Sequence, residues 1–389
     1  MQHLHGALRY YPWGSRTMLA KLRGIEEPSQ RPEAEMWFGA HPAAPAQVDG
    51  VDLTDIIARD PEGELGAPII ERFGERLPFL VKLLAADQPL SLQAHPSLEQ
   101  AREGFARENE AGLPLDAPNR NYRDASHKPE VIIALTSFQA LTGFRPLDKT
   151  RELFDVLACP KLSHYADILD GHTAEDSAEN GDLRALFTTW LTIPATTRSE
   201  LIDSIVEAAQ AHLDRDDWIG DTLRVVVDLN ERYPGDPGVL GALLLNLVTL
   251  EPGEAVYTEA GQLHAYVHGL GVEVMANSDN VLRGGLTPKH VDVPELVRVL
   301  RFEETIDPRV AVHSDGTVDA PAAEFRVQRV DLQPNESLTV AEDGPVIVLC
   351  VAGELSGAQA AEALWISAQE SATELTAGPE GAQAFKVTV

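Results

Sequence analysis

Two side chains in the segment SLQAHP at 91–96 are of types that could bind one metal ion. Alternate residues of a β-strand point to the same face, so a strand here would place the Gln93 amide beside the His95 imidazole. Downstream, the sequence offers a carboxylate at Glu130 and a second imidazole at His264. Nitrogen and oxygen ligands of these kinds suit zinc or a similar divalent ion. The pattern therefore predicts a mixed metal site made of Gln93, His95, Glu130 and His264.

A lysine accompanies one of these candidate ligands. Lys128 stands two residues before Glu130 in the segment HKPE at 127–130. Because residues two apart on a strand face the same way, we expect the ammonium and the carboxylate to enter one cavity. A charged group beside a metal site is a candidate for moving protons.

The charge balance limits the classes of partner. The 389 residues include 61 acidic and 31 basic side chains, for a formal net charge of −30 at pH 7. This charge argues against non-specific binding to nucleic acid or to an anionic membrane. It would also repel a phosphorylated ligand at long range, so a phosphate site would need a local group of basic residues.

The cysteines and the apolar pattern indicate the compartment. Cys159 and Cys350 are the two cysteines and lie far apart in the sequence, so a disulfide framework is excluded. We expect a cytoplasmic protein, because the sequence shows neither a signal-peptide pattern nor an apolar run of about 20 residues that could span a membrane.

The elements that must position the site follow from hydrophobic spacing. Up to about Phe144 the sequence predicts short strands separated by turns rich in Pro and Gly, with one helix that begins after Ser97 through a capping box with Gln100. From 147 to about 233, apolar residues recur at helical spacing and predict an inserted helical domain. Within it, 169–182 is expected to be an exposed loop.

The remaining sequence returns mainly to strand patterns. After Pro237 we expect strands, including 248–250 and 255–257 around a turn, and then a helix near 294–300. From about 310 onward, 325–330 and 346–351 are predicted strands of a smaller β domain.

Several short segments together resemble one known family. They lie in order over roughly three quarters of the chain and read YPWGS at 11–15, AEMWFGAHP at 34–42, LPFLVKLL at 77–84, HKPE at 127–130, GQLHAY at 261–266, EVMANSDN at 273–280 and RGGLTPK at 283–289. In this set the chain resembles the type I phosphomannose isomerases, which are zinc enzymes built from cupin-type jelly rolls. Each motif alone is weak, but the ordered set is specific.

The resemblance implies a mainly β fold in three parts. These are a metal-bearing, cupin-type jelly-roll catalytic domain of residues 1–146 and 236–305, an all-α insertion of residues 147–235, and a C-terminal jelly roll of residues 306–389. It also implies one Zn²⁺ per chain on Gln93, His95, Glu130 and His264, and we expect a monomer.

The activity implied by the resemblance is the interconversion of D-mannose 6-phosphate and D-fructose 6-phosphate through a metal-stabilised cis-enediol. The phosphorylated hexose would be the partner, with no nucleic acid or membrane involved. Arg283 matches the family's catalytic arginine, and either Lys128 or Glu273 could be the base that moves the proton. Further candidates for binding the sugar or its phosphate are Ser91, Lys289, Lys82, Trp13 and Asp279.

Two other functions use the same residues. An iron-dependent cupin dioxygenase could bind its metal at these positions, although such sites usually have two histidines and a carboxylate without a glutamine. A non-catalytic cupin that binds a sugar phosphate would bind its ligand without turnover. The basic residues Arg283 and Lys289 favour the isomerase over the dioxygenase.

Overall fold

The computed structural model describes residues 1–170, 181–370 and 372–389. Up to residue 146, the helices and strands are β1 (Gln2–Leu4), β2 (Ala7–Arg9), α1 (Met18–Leu22), β3 (Glu35–Phe38), β4 (Gln47–Val48), β5 (Val51–Asp52), α2 (Leu53–Arg59), α3 (Pro61–Leu65), α4 (Ala67–Phe73), β6 (Phe79–Ala86), β7 (Leu92–Ala94), α5 (Leu98–Glu110), β8 (Glu130–Ala134) and β9 (Phe138–Phe144).

The helical segment that follows contains α6 (Leu147–Leu157), α7 (Pro160–Ala166), a 3-10 helix (Asp167–Asp170), α8 (Gly181–Thr192), α9 (Ala195–Ala209), a second 3-10 helix (Gln210–His212), α10 (Trp218–Arg232) and α11 (Pro237–Ala242). The chain then forms β10 (Leu245–Leu250), β11 (Ala255–Thr258), β12 (His264–Ala276), β13 (Leu282–Gly285), α12 (Val293–Val299), β14 (Arg309–Val310), β15 (Arg326–Leu332), β16 (Ser337–Val340), β17 (Val346–Leu355), β18 (Ala358–Gln359), β19 (Glu362–Ile366) and β20 (Thr373–Thr388).

The predicted elements are largely present, with local corrections. Ser97 and Gln100 form the expected capping box at the start of α5. The prediction of strands alone in the rest of the first 144 residues was wrong, because α1 to α4 have five to seven residues each. Helices that short hold too few turns to show a helical period.

Two further boundaries differ from the prediction. After Pro237 the chain first forms α11, whose start is capped by the Asp236 carboxylate accepting from the Gly238 amide. The prediction of an exposed loop at 169–182 was wrong at its two ends, since Leu169 is buried in a 3-10 helix and α8 begins at Gly181. The intervening residues 171–180 lie outside the described residues.

Two large antiparallel sheets form the β part. The first has eleven strands, with the path β14-β11-β8-β12-β6-β3-β2 and with β7, β9, β10 and β13 attached beside it. The second has seven strands around β17, β19 and β20, and it includes β1 from the start of the chain. This sheet-rich architecture with a helical insertion agrees with the predicted cupin-type jelly-roll fold.

Strand β12 joins the two halves of the first sheet, one that contains β7 and β9 and one that contains β6 and β8. Its beginning pairs with β7 and β9, and its end pairs with β6 and β8. The change of partner strands lies at Gly269, which has φ +130°, and a Cβ there would come within 2.7 Å of the Phe138 ring. Only glycine fits both the backbone conformation and the close approach. One strand thus contributes side chains to both halves.

Successive side chains of β6 point alternately to the outer and the inner face of the first sheet. Phe79, Val81 and Leu83 pack against the second sheet, in a cluster that includes Trp365. Leu84 and Ala86 instead join the apolar cluster of the other face. Lys82 has the same parity as Leu84, so its side chain points into the first jelly roll.

The helical insertion covers a different surface. Its buried residues, among them Phe187 and Trp190, pack with Leu141 and Phe144 of β9 and with Leu282 of β13 in a single hydrophobic cluster. This packing fixes β13, which pairs with β7, and β9, which pairs with β12. Helices on one side and a second sheet on the other thus hold the first jelly roll in place.

Candidate metal centre

Three of the four predicted ligands come together in the first jelly roll. Glu130 is the first residue of β8, His264 is the first residue of β12, and His95 directly follows β7. Their ligand atoms all lie within 4.8 Å of one another, and all three side chains are buried. We call His95, Glu130 and His264 the metal cluster.

The tautomers of both histidines follow from their backbone partners. His95 Nδ1 lies 2.8 Å from the Asn280 carbonyl oxygen, and His264 Nδ1 lies 3.1 Å from the Gln262 carbonyl oxygen. Because a carbonyl oxygen only accepts hydrogen bonds, each Nδ1 carries the proton. In its neutral form, each ring then presents an unprotonated Nε2 to the cluster.

When both rings are neutral, the atoms that face one another in the cluster carry no proton with which to form a hydrogen bond. His264 Nε2 lies 2.9 Å from Glu130 Oε1, and His95 Nε2 lies 3.5 Å from Glu130 Oε2. None of these four buried atoms makes a hydrogen bond within the described part of the chain. In a buried site, the lone pairs of the Nε2 atoms and the carboxylate oxygens repel each other unless a cation lies between them. The donor set of two imidazoles and one carboxylate thus fits a divalent metal ion.

The electrostatics keep these groups in their ligating forms. Burial, reinforced by the charge of Lys128, lowers the pKa of His95 to about 4. Burial alone would raise the pKa of Glu130, but Lys128, whose Nζ is 3.1 Å from Glu130 Oε2, and His95 outweigh it and hold that pKa well below its usual range. A neutral imidazole and an ionised carboxylate are the forms that bind metal.

Gln93 lies next to the cluster in the sheet. It pairs with His264 across β7 and β12 and with Arg283 across β7 and β13. Side chains of paired residues lie on the same face. The sheet therefore places the predicted fourth ligand between a member of the metal cluster and the predicted catalytic arginine.

A second buried group of charges lies on the inner face of the same jelly roll. Lys82 and Glu273 are directly paired across β6 and β12, with Nζ 2.7 Å from Oε2. Lys82 Nζ also lies 3.7 Å from Glu35 and 5.3 Å from the centre of the Trp37 ring. Burial disfavours the ammonium, but Glu273 and Glu35 outweigh it and raise the pKa of Lys82 above its ordinary value. Lys82 is therefore charged.

The predicted phosphate-binding residues belong to a group of cations near the end of β13. Burial and then the charge of Arg123 lower the pKa of Arg283, and burial, Arg283 and Arg123 lower the pKa of Lys289. The positive charges of these three residues therefore act on one another. We call Arg123, Arg283 and Lys289 the basic group. Ser91 directly precedes β7 and is partly buried.

The other predicted residues have different neighbours. Asp279 is half-exposed, and its Oδ1 lies 3.3 Å from His41 Nε2, whose hydrogen bond lowers the pKa of that carboxyl. Trp13 stacks on Tyr11 with ring centres 5.5 Å apart and packs beside the inner cluster that contains Tyr266.

Sequence reasoning missed several residues around these groups. Asn280, fully buried, orients His95 through its carbonyl oxygen, while its side chain binds the backbone of Arg123 and Asp124. Glu35 accepts a hydrogen bond from Trp37 Nε1 and lies beside Lys82. Both stand in quoted motifs, but their types alone gave no reason to separate them from neighbouring polar residues.

The chain is similar in sequence to known proteins. The family model for the phosphomannose isomerase type I catalytic domain matches residues 1–147. The mannose-6-phosphate isomerase of Escherichia coli K12 is 38% identical, with 96% of this chain and 94% of that protein covered. The human mannose-6-phosphate isomerase is 32% identical, covering 89% of this chain and 86% of that protein.

Solved structures give the same result. A crystal structure of a phosphomannose isomerase variant from Salmonella typhimurium superimposes with a TM-score of 0.88 at 35% identity, covering 100% of this chain and 98% of that one. A mannose 6-phosphate isomerase crystallised with zinc and yttrium superimposes with a TM-score of 0.86 at 36% identity and the same coverage.

Within the described residues, no helix has the length and apolarity needed to cross a membrane.

Proposed function

Since the chain belongs to the type I phosphomannose isomerase family, we propose that it interconverts D-mannose 6-phosphate and D-fructose 6-phosphate through a cis-enediol. The observation that carries this proposal is the pairing of a buried metal cluster with a neighbouring basic group, joined through Gln93. An aldose–ketose isomerase needs charge stabilisation at the reacting oxygens and an anchor for the phosphate. The two groups supply both.

We infer that one Zn²⁺ is held by His95, Glu130 and His264, with Gln93 as the fourth ligand. The fit rests on the Nε2 atoms of the two histidines and on the Glu130 carboxylate oxygens, which are buried and make no hydrogen bond within the described residues. When bound, the ion supplies positive charge that stabilises the negative charge developing on the substrate oxygens.

The proton must move between C1 and C2 of the sugar. The Glu273 carboxylate, in its ion pair with Lys82, can accept a proton from carbon, while Lys128, in its ion pair with Glu130, can donate a proton to a substrate oxygen. Both side chains are buried, so few water molecules compete for the proton. Arg283 assists this transfer by stabilising the enediol oxygens.

Phosphate binding completes the proposal. Lys289 provides a point charge and Arg283 a planar fork, and Ser91 offers a hydroxyl ahead of β7. Lys82, Trp13 and Asp279 are assigned to shaping the pocket around the sugar. The same proposal includes a division into three domains, of residues 1–146 with 236–305, 147–235 and 306–389. It also includes a monomeric state and a cytoplasmic location.

Turnover of mannose 6-phosphate to fructose 6-phosphate tests the function directly. The purified protein should be active, should lose activity with a chelator, and should regain it on addition of zinc. Absence of turnover in the zinc-loaded protein would overturn the proposal. Iron in the purified protein, together with oxygen uptake, would replace it with the dioxygenase.

A further inference from the structure

A hydrogen bond joins the second sheet to the short segment that carries Lys128. His127 Nε2 lies 2.6 Å from Glu324 Oε1, and both side chains are partly buried. Glu324 stands two residues before β15, a strand of the second sheet. An ionised carboxylate only accepts hydrogen bonds, so His127 donates through Nε2. Hydrogen bonds to an ionised group are among the stronger contacts between side chains.

The backbone on both sides of Glu324 is anchored. The carbonyl oxygen of Ala323 accepts a hydrogen bond of 2.9 Å from Arg72 Nη2, at the end of α4. Phe325 is fully buried in the apolar cluster between the two sheets. Because both neighbours are fixed, the Glu324 carboxylate is a stationary acceptor for His127.

Lys128 reaches the metal cluster from the same segment. Its Nζ lies 3.1 Å from Glu130 Oε2, and its side chain is buried. Because Pro129 follows, the backbone of Lys128 is restricted to extended conformations. Successive side chains of an extended segment point to opposite sides. His127 therefore points outward to Glu324 while Lys128 points inward to Glu130.

The backbone around Lys128 has few other attachments. The carbonyl oxygen of Ser126 accepts from two side chains of the loop between β12 and β13, and that of Pro129 accepts from the amide of Ala276. Between these points, neither His127 nor Lys128 makes a backbone hydrogen bond within the described part of the chain. The side-chain contact of His127 is thus the attachment nearest to Lys128.

The metal ligand that follows is held independently. Glu130 belongs to β8, which pairs with β11 on one side and with β12 on the other. Loss of the Glu324 contact should therefore displace Lys128 and leave the carboxylate of Glu130 in place.

We propose that Glu324 is a positioning residue: by holding His127, it keeps the Lys128 ammonium in place beside the metal cluster. This inference rests on the proposed function and deepens it, because it gives the second sheet a part in proton transfer by Lys128. Glu324 itself contacts no substrate. Misplacing a reacting group by about 1 Å can cost about 100-fold in rate, and the attachments at Ser126 and Pro129 limit the displacement here.

The test compares Glu324→Ala with Glu324→Gln and Glu342→Ala in the zinc-loaded protein. We expect Glu324→Ala to lower kcat by about 5- to 20-fold, with KM within about twofold of wild type and zinc content unchanged. Glu324→Gln should recover part of the loss, because its amide oxygen can still accept from His127.

Glu342→Ala is the matched control. Glu342 is of similar burial and forms its ion pairs with Lys386, at 2.7 Å, and with Arg326, both on strands of the second sheet. Its loss should leave kcat unchanged. Equal losses of kcat in Glu324→Ala and Glu342→Ala, an unchanged kcat in Glu324→Ala, or a loss of zinc in Glu324→Ala would overturn the inference.

A double-mutant cycle tests whether Glu324 acts through His127. His127→Ala should lower kcat as much as Glu324→Ala does, and the double variant should be no worse than either single variant by more than about twofold. Losses that multiply in the double variant would overturn the inference.

Hydrogen exchange separates this inference from the proposed function. If zinc-loaded wild-type protein does not turn over mannose 6-phosphate, the proposed function fails. Amide exchange of residues 126–128 then still tests the contact, because it needs no turnover. Exchange at least about fivefold faster in Glu324→Ala than in Glu342→Ala supports the positioning role, and equal exchange overturns it.

Discussion

Lys82 and Glu273 face each other directly across two central strands, with Nζ 2.7 Å from Oε2 in a buried setting. Glu273→Gln keeps the shape of the side chain but removes the carboxylate that could accept a proton. We expect kcat to fall at least about 100-fold while zinc content is unchanged. Glu35→Gln is the matched control, since it removes the other carboxylate near Lys82 and should cost less than about tenfold. Turnover above half of the wild-type value in Glu273→Gln would exclude Glu273 as the base.

The same ion pair predicts an effect on stability. Lys82→Met leaves Glu273 and Glu35 buried without their common cation, which should reduce the free energy of unfolding by about 3 kcal/mol. Lys161→Met is the control, because Lys161 pairs with Glu200 on an exposed surface and its loss should cost less than about 1 kcal/mol. Urea unfolding curves of the two variants measure the difference, and equal costs would show that burial of the Lys82 pair is unimportant.

Removing one histidine should eliminate metal binding. His264→Ala deletes one of two imidazole ligands, so zinc affinity should fall at least about 100-fold and activity should be lost with it. His268→Ala is the matched control, because His268 lies on the same strand, is exposed and should retain both zinc and activity. Elemental analysis and turnover measured on the same samples provide the test. A His264→Ala protein that turns over normally without metal would refute the assignment.

Asn280 should affect metal binding without touching the metal. Asn280→Asp replaces an amide that donates to the carbonyls of Asp124 and Ser126 with an acceptor, so those oxygens lose their partner. We expect about 10- to 100-fold weaker zinc binding, because His95 is oriented by the backbone of this residue. Asn246→Asp removes a comparable pair of donations to Gly143 and Thr305 and should leave zinc affinity unchanged. Zinc titration in a competing chelator distinguishes the two, and equal affinities would rule out the positioning role.

Cys350 should be inert toward thiol reagents. Burial raises the pKa of its thiol from 9.0 to about 11, so less thiolate is available at pH 8 than in the unfolded chain. Because this acidic group has the higher pKa in the folded protein, stability should fall as the unfolded thiol ionises from about pH 9 and should continue to fall up to about pH 11. Cys350→Ala should remove that part of the alkaline loss, while Cys159→Ala keeps it. Fast labelling of Cys350 in the native protein at pH 8 would contradict the prediction.

The sequence contained enough information for the metal cluster but not for its surroundings. His95, Glu130 and His264 could be recognised because ligand types and ordered motifs point to them. The role of Glu35 depends on the register of β3 against β6, and that of Asn280 depends on where the loop before β13 lies. Both are long-range relationships that local patterns do not encode. The short helices α1 to α4 were missed for the opposite reason, since their signals are local but extend over too few residues.

The position of β12 along the chain has a consequence for how the protein is made. Glu273 and Lys82 are 191 residues apart in sequence, and His95 is 185 residues from the backbone carbonyl that orients it. During synthesis, a nascent chain that ends before β12 contains Gln93, His95 and Glu130 but lacks the strand that brings them together. Contacts over such separations form slowly, because a long loop must close first. The complete metal cluster therefore assembles only after the helical insertion has been synthesised and β12 has entered the sheet.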